Sequence, residues 1–316
     1  MKKKPLIILT GPTGAGKTAL SIKLSKAVNG EIISADSMQV YRNMDIGTAK
    51  IKPDEMEGIP HYLIDILDPD EEFNVVKFQK YAKKYIKKIY EHNHIPILVG
   101  GTGFYIQSVL YDIDFIQNDT DTSYRKTLEQ IARERGTKYL YNMLKGVDPE
   151  SAEVIHQNNS KRIIRALEYV KQTGKKISEH NAVQRKKESP YQFNYFVLNR
   201  DRVKLYENIN QRVDQMIASG LQTEVEHLYR RGYGRDLVSM QGLGYKEILA
   251  YIDGEYSFEE AIELIKKGTR HYAKRQLTWF KREKNVTWVN KDAFTDEDET
   301  LSYIIKKIED NYILLS

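Results

Sequence analysis

Cysteine is absent from this chain of 316 residues. That excludes disulfides, thiolate zinc sites and cysteine nucleophiles, agrees with an intracellular address, and leaves oxygen ligands as the expected partners of any metal. Long apolar runs are missing as well: nowhere do eighteen apolar residues follow one another, so no membrane-spanning helix is expected. The apolar segment after Met1-Lys2-Lys3-Lys4-Pro5 is too short for a secretory signal, and a cytoplasmic protein is the expectation. Nor is there a strong charge of one sign, since the net charge is only +5. It is unevenly placed, however. Residues 260–284 carry eight Lys/Arg against three Glu, and residues 285–316 three Lys against seven Asp/Glu. A basic stripe of this kind suits a polyanionic partner better than a uniformly basic surface does.

What is present starts with Gly11-Pro12-Thr13-Gly14-Ala15-Gly16-Lys17-Thr18, the pattern G-x-x-x-x-G-K-[ST], directly after the apolar run Leu6–Thr10. Glycines let the backbone curl so that successive N–H groups point at one anion, Lys17 neutralises it, and the Thr18 hydroxyl can hold Mg2+. Gly11, Thr13, Gly14, Ala15, Gly16, Lys17 and Thr18 are therefore the candidate diphosphate-binding residues, with Thr18 the candidate metal ligand. An apolar-periodic helix through Ala19, Leu20, Ile22, Leu24 and Val28 follows.

Strand-like runs recur at Leu6–Thr10, Glu31–Ala35, Tyr62–Asp65, Ile95–Val99 and Phe193–Leu198, mostly separated by helical patterns. That alternation predicts an α/β fold, a P-loop NTPase-like parallel sheet flanked by helices. Between 119 and 190 the pattern is helical, with fifteen Lys/Arg against ten Asp/Glu. It is expected to be an inserted all-helical domain, leaving residues 1–118 and 191–316 as the catalytic core. Helices are expected again at about 202–219, 221–231, 245–251 and 258–282, followed by an acidic amphipathic tail. On one further helix Lys83, Lys84, Lys87 and Lys88 lie opposite Tyr81, Tyr85, Ile86 and Ile89 and read as solvated lysines.

Strand Ile32–Ala35 ends in Asp36-Ser37, delivering a carboxylate to the carboxyl edge of the sheet, where ligands of open α/β sheets bind. Asp36 is thus placed to act as a general base or as an outer-shell ligand of Mg2+. Ile95–Val99 runs into Gly100-Gly101-Thr102-Gly103, with glycines and a hydroxyl where many P-loop nucleotidases have an Asp. That turn suggests close backbone approach to a ligand rather than metal-assisted hydrolysis.

The phosphate loop, Asp36–Arg42, Asp45–Lys50, Gly100–Tyr105, Arg162–Glu168 and Thr269–Phe280, in this order and spacing, resemble the tRNA dimethylallyltransferase family, bacterial type. The resemblance runs to about residue 282. It implies prenyl transfer from dimethylallyl diphosphate to N6 of adenosine 37 in tRNA, with Mg2+ as cofactor, the anticodon stem-loop as partner, and a monomer. Lys17, Thr18, Asp36, Thr102 and Arg212 would be the catalytic residues. For tRNA binding it points to Asp36, Ser37, Met38, Gln39 and Thr102, to Arg125, Lys161, Arg162 and Arg165 in the insert, and to Gln241, Gly244, Tyr245 and Lys246. On the basic helix it adds Arg270, Lys274 and Arg275. Gln39 can offer a donor and an acceptor to an adenine edge. The chain departs from the family at His61-Tyr62, where His-His is usual, and at Phe104, where leucine is common; His61 is given no catalytic role. It also carries no Cys/His finger of the kind some eukaryotic members append.

The competing reading is an ATP-dependent small-molecule or nucleotide kinase, with Arg125, Arg133, Arg162 and Arg165 as lid arginines. It leaves the Asp36–Arg42 and Thr269–Phe280 blocks without a use. An RNA-binding switch gated by nucleotide, and a prenyl transferase acting on free adenine nucleotide, are the remaining alternatives.

Overall fold

Leu6, Ile7, Ile8 and Leu9 are fully buried, as expected of a strand covered on both faces, and they form the middle of β1 (Lys4–Thr10). The computed structural model describes residues 3–115 and 123–313. β1 is joined by β2 (Gly30–Ser34), β3 (His61–Tyr62), β4 (Ile95–Gly100), β5 (Tyr191–Asn199) and β6 (Val286–Asn290). All neighbours in the order β3-β2-β4-β1-β5-β6 are parallel. The helices are α1 (Lys17–Val28), α2 (Val75–Glu91), α3 (Gly103–Leu110), α4 (Ser123–Arg135), α5 (Thr137–Val147), α6 (Pro149–Val154) and α7 (Ser160–Thr173). They continue as α8 (Ile177–Gln184), α9 (Arg202–Ala218), α10 (Leu221–Arg230), α11 (Tyr245–Ile252), α12 (Phe258–Phe280) and α13 (Glu297–Ile313).

Four of the five strands read from sequence are present; the run Tyr62–Asp65 is strand only at Tyr62, in the two-residue β3, because Leu63 and Asp65 take positive φ, 64° and 54°, and turn the chain out of the sheet. The sixth, β6, was hidden in what read as an acidic tail, although Val286-Thr287-Trp288-Val289 has the β-branched and aromatic composition of a strand. Its neighbour β5 lies far back in sequence, so only the tertiary pairing Tyr195 to Val286 through Asn199 to Asn290 reveals it. α1 and α13 bury Leu20, Leu24, Ile304 and Ile308 against Ile7, Leu9, Phe196 and Leu198, forming a core on one side of the sheet. α2 starts where Asn74 Oδ1 accepts the amides of Val76 and Lys77. Phe78, Ala82, Ile86 and Ile89 then face inward, with Lys84, Lys87 and Lys88 exposed.

The chain divides into two units, Met1–Leu110 with Pro190–Ser316, and Tyr111–Ser189. The expected junction at 118/119 lies outside the described residues. Within the second unit Leu128, Leu140, Leu144, Ile163, Ile164 and Leu167 make an independent helical core. Its anchor is Asp148, fully buried, which accepts from the amide and hydroxyl of both Ser151 and Ser178 at 2.7 to 3.1 Å. Burial alone would raise that carboxyl, but the four donors hold it below the usual carboxylate range.

Candidate active site

β1, β2 and β4 end side by side, and their continuations supply the phosphate loop, Asp36 and the second glycine turn. Gly14 and Gly16 take positive φ, 81° and 83°, which curls the loop into the start of α1. Gly16 stands at the cap position of α1 and has no side chain to offer, so the first-turn amides, Lys17 and Thr18 among them, face out as an anion site. Not every loop amide is open. Thr13 N–H donates to Gln276 Oε1 at 2.9 Å and Ala15 N–H to Pro12 O at 3.2 Å. Of the seven residues assigned to diphosphate, these two have their backbone donors committed to the protein, and the open amides begin further along the loop.

Lys17 Nζ donates to the carbonyls of Gly11 (3.0 Å) and Pro12 (2.9 Å). An ammonium has three N–H donors, so one remains for an anion. Burial, then the nearby Arg212 charge, lower the Lys17 pKa to about 8, with Asp36 partly opposing. Arg212, on α9, is pushed down by burial and supported by Asp36. The same face of α9 puts Leu205 and Ile209 against Gly14 and sends Asn208 Nδ2 to Gly14 O at 3.3 Å. Taken alone, the Arg212 motif fits a surface helix arginine; in the structure its guanidinium sits among Lys17 and Asp36.

The two Asp36 oxygens are placed differently. Oδ1 accepts the amides of Met38 (2.8 Å) and Gln39 (3.4 Å), fixing the turn after β2 and leaving Oδ2 for chemistry. Thr102 Oγ1 is buried without a hydrogen bond of ordinary geometry, beside the Tyr272 phenol. Burial, then the Asp36 charge, push Tyr272 up to about 12, so it stays protonated. Tyr272 was absent from the sequence-derived set, although it lies in the Thr269–Phe280 block.

The second glycine turn has a different use from the one its sequence suggests. A Cβ at Gly101 would lie 2.1 Å from Gln276 Nε2, and one at Gly103 would lie 2.2 Å from the Trp279 ring. Gly101 and Gly103 make room for α12. Gln276, buried, binds both turns at once: Oε1 takes the Thr13 amide and Nε2 donates to Gly101 O at 3.0 Å. Lys291 is a second residue that sequence reading missed. Its ammonium would lie 2.8 Å from a Cβ at Gly16, and it pairs with Glu297.

Several expected RNA contacts are placed otherwise. Tyr245 is only 1% exposed, and its hydroxyl donates to Glu224 Oε1 at 2.6 Å, so it is a core residue. The same Glu224 collects the amides of Asp45, Ile46 and Gly47 at 2.7 to 3.1 Å, which explains the Asp45–Lys50 motif as a built turn. Gln39 accepts from Ser34 Oγ at 3.0 Å and donates, over longer distances, to Thr48 O and Ala49 O; its amide is spent inside the protein. Arg125 forks onto buried Glu168 at 2.9 and 2.7 Å, a brace within its own unit, which also removes it as a kinase lid arginine. Arg165 is half-buried beside that pair. Arg270 donates to Asn210 Oδ1 at 2.6 Å, tying α12 to α9.

Lys161, Arg162, Gln241, Lys246, Lys274 and Arg275 are exposed, Ser37 and Met38 half-exposed, and Gly244 starts α11 at φ 96°. Gln241 donates to Arg235 O and Lys246 sits 3.4 Å from Glu247. Beside Lys274 a cavity of about 520 Å³ is lined by Arg200, Arg202, Tyr206, Lys281 and Trp288. Of the helix aromatics Phe280 is core, Trp279 packs on Gly103 and Phe104, and Tyr272 faces the site. Lastly, the expectation of oxygen ligands alone overlooked imidazole: Glu31, His92 and His94 converge at the opposite, amino edge of the sheet.

Fold and loop together define a P-loop-like α/β protein with a carboxylate, Asp36, at the same edge of the sheet. The family model for IPP transferases matches residues 39–283. The chain is 60% identical to the tRNA dimethylallyltransferase of Lachnoclostridium phytofermentans, over 98% of this chain and 99% of that one. Among solved structures it is similar to the tRNA delta(2)-isopentenylpyrophosphate transferase of Staphylococcus epidermidis, at 46% identity and TM-score 0.72, covering 98% of this chain and 100% of that one. It is also similar to a eukaryotic dimethylallyltransferase captured acting on tRNA, at 31% identity and TM-score 0.84, covering 98% of this chain and 79% of that one. The chain belongs to the IPP transferase family, the tRNA dimethylallyltransferases.

Proposed function

We propose that this chain transfers the dimethylallyl group of dimethylallyl diphosphate to N6 of adenosine 37 in the tRNA anticodon stem-loop, releasing diphosphate. The observation that carries this reading is the convergence of Lys17, Arg212 and Asp36 beside an open helix N-terminus. One end of that cluster suits a departing anion and the other an attacking amine.

The exocyclic amine of adenine is a weak nucleophile because its lone pair is delocalised into the ring. Asp36 Oδ2, the carboxylate oxygen not used in the turn, accepts an N6–H and takes its proton as the N6–carbon bond forms. The allylic carbon–oxygen bond breaks in the same step, and the electron pair leaves on diphosphate. The α1 amides and the free Lys17 N–H receive that charge, with Arg212 adding positive potential from α9. Thr102 offers its unpartnered hydroxyl to the reacting groups, and the Tyr272 phenol beside it stays a donor. The exposed Thr18 hydroxyl is a hard oxygen ligand of the type Mg2+ prefers, and Thr18 would hold that ion against diphosphate oxygens. Bound there, Mg2+ neutralises charge growing on the leaving group.

For tRNA binding the reading uses the exposed Lys161 and Arg162 of the helical unit, and Lys274 and Arg275 of α12. A cytoplasmic monomer completes it; among the described residues no helix is long and apolar enough to cross a membrane. The test is direct. Purified protein, Mg2+, dimethylallyl diphosphate and an anticodon stem-loop are incubated, and the RNA is weighed by mass spectrometry. A gain of one dimethylallyl group, absent when adenosine 37 is replaced by guanosine, is expected. Phosphoryl transfer from ATP with no prenylated RNA would overturn the reading.

A further inference from the structure

Glu31 enters β2 one residue after its start, and the pairing of Gly30 with Ile95 and of Glu31 with Pro96 sets it beside the chain segment that leads into β4. That segment is His92-Asn93-His94. α2 ends there, with His92 N–H bonded to Lys88 O and Ile89 O, Asn93 N–H to Tyr90 O and His94 N–H to Ile89 O. Asn93 takes φ 59°, and this one left-handed residue turns the two imidazoles to the same side. His92 Nδ1 lies 2.9 Å and His94 Nδ1 2.6 Å from the same oxygen, Glu31 Oε1. The other carboxylate oxygen, Oε2, accepts from Tyr62 OH at 2.6 Å. Tyr62 is itself held by stacking on Tyr85 at 4.5 Å between centroids, with the Lys88 ammonium over its ring. Although burial pushes Glu31 up, the Tyr62 and histidine hydrogen bonds bring it below the usual carboxylate range, so the acid is ionised.

We propose that Glu31, His92 and His94 form a binding site for one divalent transition-metal ion of the Zn2+ class, at the edge of the sheet opposite the phosphate loop. The three ligand atoms already lie within 4.8 Å of one another. Tetrahedral Zn2+ with ligands at about 2.0–2.1 Å needs them roughly 3.3 Å apart, so each of the two N···O separations widens by less than about 1 Å to take the ion. Two imidazole nitrogens and one carboxylate oxygen are a borderline donor set, suited to Zn2+, Ni2+ or Cu2+ and poorly suited to Mg2+. Tyr62 orients the carboxylate from behind, as an outer-shell partner does. The Glu31 side chain is 2% exposed, while His92 and His94 are 43% and 34% exposed, so the site is backed by protein and open to solvent on the histidine side. Binding replaces the two Nδ1–H donors by lone pairs as each neutral ring carries its proton on Nε2 instead; no redox step or co-reactant is involved.

The experiment uses the full chain stripped with a chelator and titrated with ZnCl2 by calorimetry at pH 7.5, in excess Mg2+ so that hard oxygen sites are occupied. One Zn2+ per chain is expected, with Zn2+ also raising the melting temperature. Affinity should fall at least tenfold in each of H92Q and H94Q. His92 is the more exposed of the two, so H92Q keeps the test open if H94Q melts early. Absence of Zn2+ binding by the wild type, or binding of equal strength and stoichiometry in both variants, overturns the proposal.

Discussion

Two glycine-rich turns stand on adjacent strands of this sheet, and they serve opposite ends. The turn after β1 keeps the amides at the start of α1 and one lysine donor open at its face. The turn after β4 has its glycines occupied, by Gln276 at Gly101 and by Trp279 at Gly103. Both compositions read alike in sequence, because a missing Cβ makes room without saying for what. What packs on the turn decides whether that room belongs to a ligand or to a helix. α12 fills one turn and, through Gln276, grips the other, so a single helix ties the two turns together.

The largest effect that tests this contrast is expected at the reactive edge. Asp36→Ala should slow single-turnover prenyl transfer by about a hundred- to ten-thousandfold while leaving tRNA affinity within a few-fold. Normal chemistry with weakened tRNA binding would remove Asp36 from the role of base. Lys17→Ala comes next, with kcat/KM for dimethylallyl diphosphate falling about a hundredfold.

Lys17 also has a pH signature. With its pKa at about 8, it is charged below that pH and neutral above, so kcat/KM should decline as pH rises through about 8. Lys17→Arg should abolish that limb, and a limb that persists there belongs to another group.

At the filled turn the effect should fall on stability instead. Gly101→Ala forces a methyl against Gln276 and should cost about 1–3 kcal/mol, read as a lower denaturation midpoint. Gly146→Ala in α5, where a Cβ meets open space, is the control, and it should be neutral or stabilising by up to about 1 kcal/mol. Equal effects of the two substitutions would dissolve the distinction between a filled turn and free glycine.

The smallest effect separates two basic residues on α12. Lys274→Ala should reduce the salt slope of tRNA binding by about one unit. Arg270→Ala should leave that slope alone and lower thermal stability, since Arg270 is tied to Asn210. A slope change at Arg270 and none at Lys274 would reverse the assignment.

Much of this molecule is legible in its sequence because the signals are local. A buried strand, a glycine loop and a helix follow one another within the first 28 residues, and hydrophobic periodicity together with glycine spacing acts over that range. The same holds for four of the strands, for Asp36 at the end of β2, and for the outward lysines of α2. The remainder came from pairs distant in the chain. Gln276 meets Thr13 across 263 residues, β6 finds β5, Tyr245 sinks onto Glu224, and Glu31 collects two histidines 61 and 63 positions away. A side chain's chemistry is written in its identity, but whether its polar atoms are spent or free depends on which neighbours the fold brings within hydrogen-bonding distance. Arg125 and Arg212 show this most plainly: both are arginines in helical segments, one closed on Glu168 and the other set facing Lys17 and Asp36.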